Sequence, residues 1–401
     1  MPGPLTGIRI IDLSRVLAGP WATQSLADMG ADVIKIERPD SGDDTRSFVP
    51  FLKHKDGSPG ESIYFLSANR GKRSITIDLG HEEGRELARK IIDTADIVVE
   101  NYKVGNLARF GLDYASLRNR NPRLIYCSIT GFGQTGPNRN KAGYDLVIQA
   151  IGGLMSITGE PGEQPIKSGV AIADILTGLY ATQAILAALY ERTSSNVGQY
   201  IDLSLLDVQI ATLANQGADY LMRGENPKRH GNAHGSIVPY QDFKTSDGNI
   251  VIAVANDSQF VRLAQILGMP QLADDPKYRT NAERVQNREK LISIVAGRLR
   301  ERSSQQWIAD LDREGIPAGP INSLKAVFDE PQVAARNLIV EFPNGDQTPI
   351  RLVGSPINFS RTPVSHTTPP PRLGEHTEEI LRNLLGESPQ RIKSLYQNKI
   401  I

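Results

Sequence analysis

The chain has 401 residues, enough for two domains rather than one core. Its 39% hydrophobic and 22% charged residues are an ordinary globular mix. Lys plus Arg number 45 and Asp plus Glu 45, a balance that speaks against a nucleic acid partner or an anionic membrane surface.

The N-terminus, MPGPLTGIRIIDLSRVLAGP, lacks the basic start and long apolar core of a secretory signal, and no apolar run is read as long enough to span a membrane. Ile8–Leu13 is a short apolar strand, Gly19-Pro20 breaks the chain, and Trp21–Met29 has helical apolar spacing. Asp32–Ile36 is a second strand, so the first unit is strand–turn–helix–strand with a parallel crossover. Ser74–Leu79, Ile97–Glu100 and Leu124–Ile129 read as further strands, with a helix over Glu83–Thr94. The single cysteine, Cys127, lies in the last of these strands, where packing is its simplest role; it fits a reducing compartment, and no Cys/His cluster offers a metal site. The expected location is the cytoplasm, or the mitochondrial matrix if a leader has been removed. Near-continuously apolar strands separated by helices predict an open, doubly wound parallel sheet, whose ligands sit beyond the strands' carboxyl ends. The Gly/Pro/Asn-rich loop 131–140 follows one such end.

Helices are expected over Ile175–Tyr190 and Ser204–Tyr220, with a strand from Tyr200. A polar, glycine-rich break at 223–236 precedes a smaller α/β domain with a strand at Ile250–Ala255 and helices at 259–267, 288–298 and 305–314. A hairpin with its turn at 343–347 joins Leu338–Phe342 to Ile350–Val353, the proline run 362–371 is an extended linker, and Thr377–Leu384 is the final helix. The expected division is a large domain of 1–225 with 335–401, a small domain of 226–325, and a linker at 326–334.

The first loop, Ser14–Pro20, lacks the G-x-G-x-x-G spacing that lets a backbone hug a pyrophosphate, which argues against a nicotinamide or flavin cofactor in the usual mode. Arg38 follows the second strand and reads as a phosphate contact or a solvated surface arginine; with Lys72 and Arg73 beside the next strand and Arg109 near the next helix it could form a positive lining for phosphates. Asp174, at the start of an apolar helix with small neighbours Gly169, Ala171 and Ala173, reads either as an N-cap or as a nucleophile. A carboxylate there is expected to be stabilised as the anion. His230 and His234 beside Gly231 and Gly235 read as loop surface or as a mobile flap.

Several ordered segments resemble the class III coenzyme A transferases, the family that includes formyl-CoA transferase. They are DLSRVLAGPWATQSLADMGADVIKIERP at 12–39, NRGKRSITIDL at 69–79, ADIVVENYKVGNLARFGLDY at 95–114, SITGFGQTGP at 128–137, GYDLVIQAIGGLMSITG at 143–159, ADILTGLYA at 173–181 and PPRLGEHT at 370–377. The stretches GNAHGSIVPYQDFKT at 231–245 and GPINSLKAVFDEPQVAARN at 319–337 look most like the succinate–hydroxymethylglutarate (glutarate) branch. The resemblance implies a nucleophilic Asp174, with coenzyme A contacts at Val16, Leu17, Ala18, Arg38, Ile77, Asp78, Leu79, Asn101, Arg109, Lys141, Tyr144 and Asp145. Formyl-CoA transferase carries a glutamine at the place of Leu17 and a run of glycines where this chain has GNAHGS, which argues against formate and oxalate as its acids. The resemblance further implies a Rossmann-like large domain and an interlocked homodimer. Acyl-CoA and a small carboxylic acid are the expected partners, with no tightly bound cofactor. Succinyl-CoA and a C4–C6 dicarboxylate are the expected pair, with Arg46, Arg73 and Lys244 as cations for the second carboxylate. Oxyanion donors are expected among the amides of 131–136 and 231–235. An acyl-CoA racemase of the same fold is the competing reading, weakened because no His occurs between His81 and His230. A non-catalytic CoA-binding protein is a third.

Overall fold

Six apolar runs form one parallel sheet in the computed structural model, which describes residues 2–345 and 348–401. They are β1 (Arg9–Asp12), β2 (Asp32–Glu37), β3 (Lys72–Thr76), β4 (Ile97–Glu100), β5 (Ile125–Thr130) and β6 (Tyr200–Ser204). Their order is β3-β2-β1-β4-β5-β6, and every neighbouring pair is parallel. The order reverses between β1 and β4, so the crevice beyond their carboxyl ends is the natural ligand site.

The helices that frame this site are α1 (Ala18–Asp28), α2 (Glu82–Ile92), α3 (Asp145–Ile151) and α4 (Ile172–Ser195). Both faces of the sheet are covered, which is why its strands are apolar at successive positions. On one face Ile11, Ile34, Ile75 and Val98 pack with Leu87 and Ile91 of α2 and with Ile380, Leu381, Ile392 and Leu395 near the chain end. On the other, Ile10, Val33, Val99 and the buried Cys127 pack with Leu26 of α1 and Ile185 of α4. A final helix, Pro389–Gln397, lies beyond the last one expected; Ser388 caps it and Pro389 opens it.

The helix α4 is 24 residues long and contains an 18-residue stretch of mean hydropathy 1.5, long and apolar enough to cross a membrane, which corrects the expectation that no run reaches that length. One face is nevertheless packed in the core, and Arg192 in its last turn is buried and paired with Asp96 at 2.9 Å. Gly178 lets it approach α1 closely: a Cβ there would stand 2.8 Å from the Ala18 carbonyl oxygen.

This sheet unit comprises the chain up to Leu154, Lys167–Gly224 and Gln332–Ile401. The expected hairpin pairs Ile339–Phe342 with Ile350–Val353; of its expected turn, residues 346 and 347 lie outside the described residues. A second unit comprises Met155–Ile166 and Glu225–Pro331. Its sheet is antiparallel, with β8 (Asn249–Ala253) between β7 (Tyr240–Lys244) and β9 (Ala318–Pro320). Phe260, Leu263, Leu291, Val295 and Trp307 fill its core. The segment 155–166, expected with the large domain, is tied into this unit by Arg229, which donates to the carbonyls of Ser156, Glu160 and Glu163.

Candidate active site

Asp174 is the third residue of α4, not its cap, because the helix begins at Ile172. The capping acceptor comes from another helix. Asp145 Oδ1 accepts the Ala173 N–H at 2.9 Å, and its Oδ2 accepts from Gln149 Nε2 at 2.7 Å. The wholly buried Gln149 in turn accepts the Ser168 N–H at 2.8 Å. The segment leading into α4 is thus held from two points on α3. The Asp174 carboxylate itself is partly buried and has no hydrogen bond or ion pair among the described residues. Burial, followed by the neighbouring charge of Asp145, pushes its pKa up to about 7, the opposite direction to that expected from its place at a helix start.

The loop from β1 into α1 is fixed almost atom by atom. Asp12 Oδ1 accepts the Ser14 N–H at 2.9 Å, and Lys35 Nζ donates to the Ser14 carbonyl at 2.7 Å. Asn101 brackets Arg15, accepting its N–H at 2.9 Å and donating to its carbonyl at 2.7 Å. No side chain caps α1, and the Leu17 and Ala18 amides find no acceptor among the described residues.

Val16, Leu17, Ala18, Asn101, Lys141, Tyr144 and Asp174 line one cleft of about 170 Å³ at the carboxyl ends of β1, β4 and β5. Arg38, Ile77, Asp78 and Leu79 line a neighbouring hollow of about 280 Å³ beyond β2 and β3. Arg15 and Tyr102 border both, with the guanidinium 5.1 Å from the ring centroid. Ile77 is only 1% exposed and has little but backbone to offer. Arg109 lies in an exposed turn and lines neither hollow; Asp145 lines neither and acts as the cap described above. Gly131, from the loop expected to supply oxyanion donors, also lines the cleft; sequence reasoning missed Arg15, Tyr102, Thr130 and Arg139, which line it too. A signal existed for Arg139, a cation in the loop that follows β5.

Other expected cations are engaged elsewhere. Lys72 is wholly buried and donates to Asp12 and Asn69. Arg73 pairs with Asp32 and Glu379, Arg46 makes a bidentate pair with Glu37, and Lys244 belongs to the second unit. Arg139 and Lys141 are exposed in the cleft wall and have no ion-pair partner among the described residues. Several amides expected as oxyanion donors are also engaged: Gly133 by Thr130, Gln134 by Asp202, Gly231 by Gly159 and His234 by Tyr240. Arg288 pins the 234–235 backbone within the second unit at 2.8 Å, so this part of the expected flap is anchored. Among the described residues, no group of three or more His, Cys, Asp or Glu is placed to hold a metal.

A partly buried carboxylate without a partner among the described residues, at the switch point of such a sheet, agrees with the comparisons. The model of CoA-transferase family III matches residues 5–377, and this chain belongs to that family. It is 51% identical to the succinate–glutarate CoA-transferase of Agrobacterium fabrum, over 95% of this chain and 96% of that one. It is 44% identical to the succinyl-CoA:glutarate CoA-transferase of Homo sapiens, over 99% and 90%. Among solved structures, a CaiB/BaiF family protein from Brucella suis superposes with a TM-score of 0.85 at 47% identity, covering 96% of this chain and 100% of that one. The protein is therefore an enzyme, a class III CoA-transferase.

Proposed function

We propose that this enzyme moves coenzyme A from succinyl-CoA to a C4–C6 dicarboxylate such as glutarate or hydroxymethylglutarate, through a covalent intermediate on Asp174. One observation carries the reading: the Asp174 carboxylate stands without a partner in a cleft whose wall bears the unpaired cations Arg139 and Lys141. The names of the relatives from Agrobacterium fabrum and Homo sapiens support the choice of acids.

In this scheme Asp174 attacks the thioester carbonyl. The C–S bond breaks, CoA leaves as the thiolate, and a mixed anhydride joins Asp174 to the donor acyl group. The thiolate then attacks the aspartyl carbonyl, the anhydride C–O bond breaks, and the donor leaves as its carboxylate. The acceptor carboxylate attacks the resulting aspartyl-CoA thioester, and the released thiolate completes the exchange by taking the acceptor acyl group from Asp174. Every nucleophile is already an anion, so no proton is gained or lost. Splitting the exchange conserves the thioester's activation at each step. Each tetrahedral oxyanion needs fixed N–H donors, and the uncapped Leu17 and Ala18 amides supply them. Coenzyme A would run from Asp174 past Arg15 and Tyr102 to Arg38, because those two residues border both hollows. The racemase reading is weakened further, because no His is among the described residues that line the cleft.

An interlocked homodimer belongs to the same reading. Helices α3 and α4 expose Leu146, Val147, Ile151, Leu179, Tyr180 and Tyr190, apolar side chains suited to burial against a second chain. Sedimentation at micromolar concentration should give the dimer mass; a monomer contradicts this part. For the activity, succinyl-CoA with glutarate should yield glutaryl-CoA. Turnover of formyl-CoA with oxalate, and none with succinyl-CoA, overturns the substrate choice.

A further inference from the structure

Val16, in the loop between β1 and α1, has φ +70°. A β-branched residue in the left-handed region is a strained outlier and persists only where its surroundings over-determine it. Here the constraint is a buried ion pair. Asp43 Oδ1 accepts the Val16 N–H at 3.2 Å, and Asp43 Oδ2 pairs with Lys35 Nζ at 3.0 Å, both side chains having no exposed surface. The same ammonium donates to the Ser14 carbonyl at 2.7 Å. One pair therefore grips the loop on both sides of Arg15. Lys35 and Asp43 are among the residues lining the hollow near Arg38, with side chains that have no exposed surface, and they do not line the cleft that holds Asp174.

Stability alone does not explain such a pair, since buried ion pairs often contribute no more than apolar residues of the same volume. Its effect on the loop does. Val16 is followed directly by Leu17 and Ala18, where α1 begins with its N–H groups uncapped beside Asp174. We infer that Lys35 and Asp43 are positioning residues for the transfer reaction: they impose the strained turn at Val16 and thereby set where the Leu17 and Ala18 amides meet the reacting carbonyl. The inference rests on the proposed reaction at Asp174 and adds residues that touch no reacting atom.

The test uses the full-length enzyme with Lys35→Met and Asp43→Ser combined, so that no buried charge is left alone. Serine still caps the following turn at Thr45 but is too short to reach Val16. Asp43→Glu, run alongside, keeps the ion pair and displaces the acceptor by about one methylene, so the test survives if the double variant does not fold. In whichever variants fold by circular dichroism, kcat should fall roughly 100-fold while the acyl-CoA KM stays within about threefold, as for a positional error at the reacting centre. Adding Val16→Gly should restore at least about tenfold in kcat, because glycine adopts a positive φ without the brace. An unchanged kcat, a loss confined to KM, or no rescue by Val16→Gly overturns the inference. Mass spectrometry of the wild type with acyl-CoA separates the two readings. An unlabelled Asp174 defeats the proposed reaction itself, whereas a labelled Asp174 with a negative brace test defeats only this inference.

Discussion

Asp145 Oδ1 accepts the backbone N–H of Ala173 at 2.9 Å, so one carboxylate holds the first turn of the helix that carries a second, Asp174. Orientation and charge come together in this arrangement. The capping bond aims the α4 start at the cleft, and the proximity of a like charge opposes ionisation of Asp174 beyond what burial already does. A carboxylate destabilised in this way, with no hydrogen bond to quieten it, is a better nucleophile than one paired with an arginine.

A pH dependence follows. The working form of Asp174 is the anion and its pKa is raised to about 7, so kcat/KM for acyl-CoA should climb as pH rises through about 7 and fall away below it. Asp145→Asn removes the second cause and should move the acidic limb to lower pH. Glu100 is also pushed up to about 7, by burial, so Glu100→Gln is the control and should leave the limb in place. A limb that moves with Glu100 and not with Asp145 would refute the assignment.

Arg139 and Lys141 are two cations of the cleft that no acidic side chain engages among the described residues. Arg139→Ala and Lys141→Ala should each raise the KM of an anionic substrate by roughly 10- to 100-fold, the value of one charge-assisted hydrogen bond, with a smaller change in kcat. Steady-state kinetics with the donor and acceptor varied separately will show which anion each cation meets. Unchanged KM values for both substrates in both variants would remove these residues from the site.

Gly178 sets the distance between the nucleophile's helix and the start of α1. An added Cβ would stand 2.8 Å from Ala18 O and 3.1 Å from the Trp21 side chain. Gly178→Ala should therefore force the helices apart, costing about 1–3 kcal/mol of stability, as overpacking does, together with activity. Thermal unfolding and kcat measured on the same preparation check both effects; a variant with wild-type values for each shows that the contact has slack.

Much of the large domain was legible because its strands are buried on both faces and so stand out as apolar runs, Ile97–Glu100 to the residue. The smaller sheet was harder. Its edge strand Tyr240–Lys244 reads polar because three of its five residues are Gln, Asp and Lys, and its other edge, Ala318–Pro320, contains Gly and Pro. Asp174 was legible by type and setting, but its capping partner was not, since a cap contributed by Asp145 across 28 positions leaves no local spacing. Lys72 and Arg46 misled for a related reason. Nothing in a sequence separates a cation that waits for a ligand from one already paired with Asp12 or Glu37 in the core.

The central claim is that Asp174 carries the covalent intermediate, and trapping tests it most directly. Wild-type enzyme is incubated with succinyl-CoA, quenched with hydroxylamine or reduced with borohydride, digested, and mapped by mass spectrometry beside Asp174→Asn. That variant keeps the shape of the side chain and leaves the Asp145–Ala173 cap untouched, so it should fold and still bind acyl-CoA. The expected result is a modification on the peptide containing Asp174 in the wild type, its absence in the variant, and essentially complete loss of transfer. A modification on another residue, or full transfer activity in Asp174→Asn, would contradict the account.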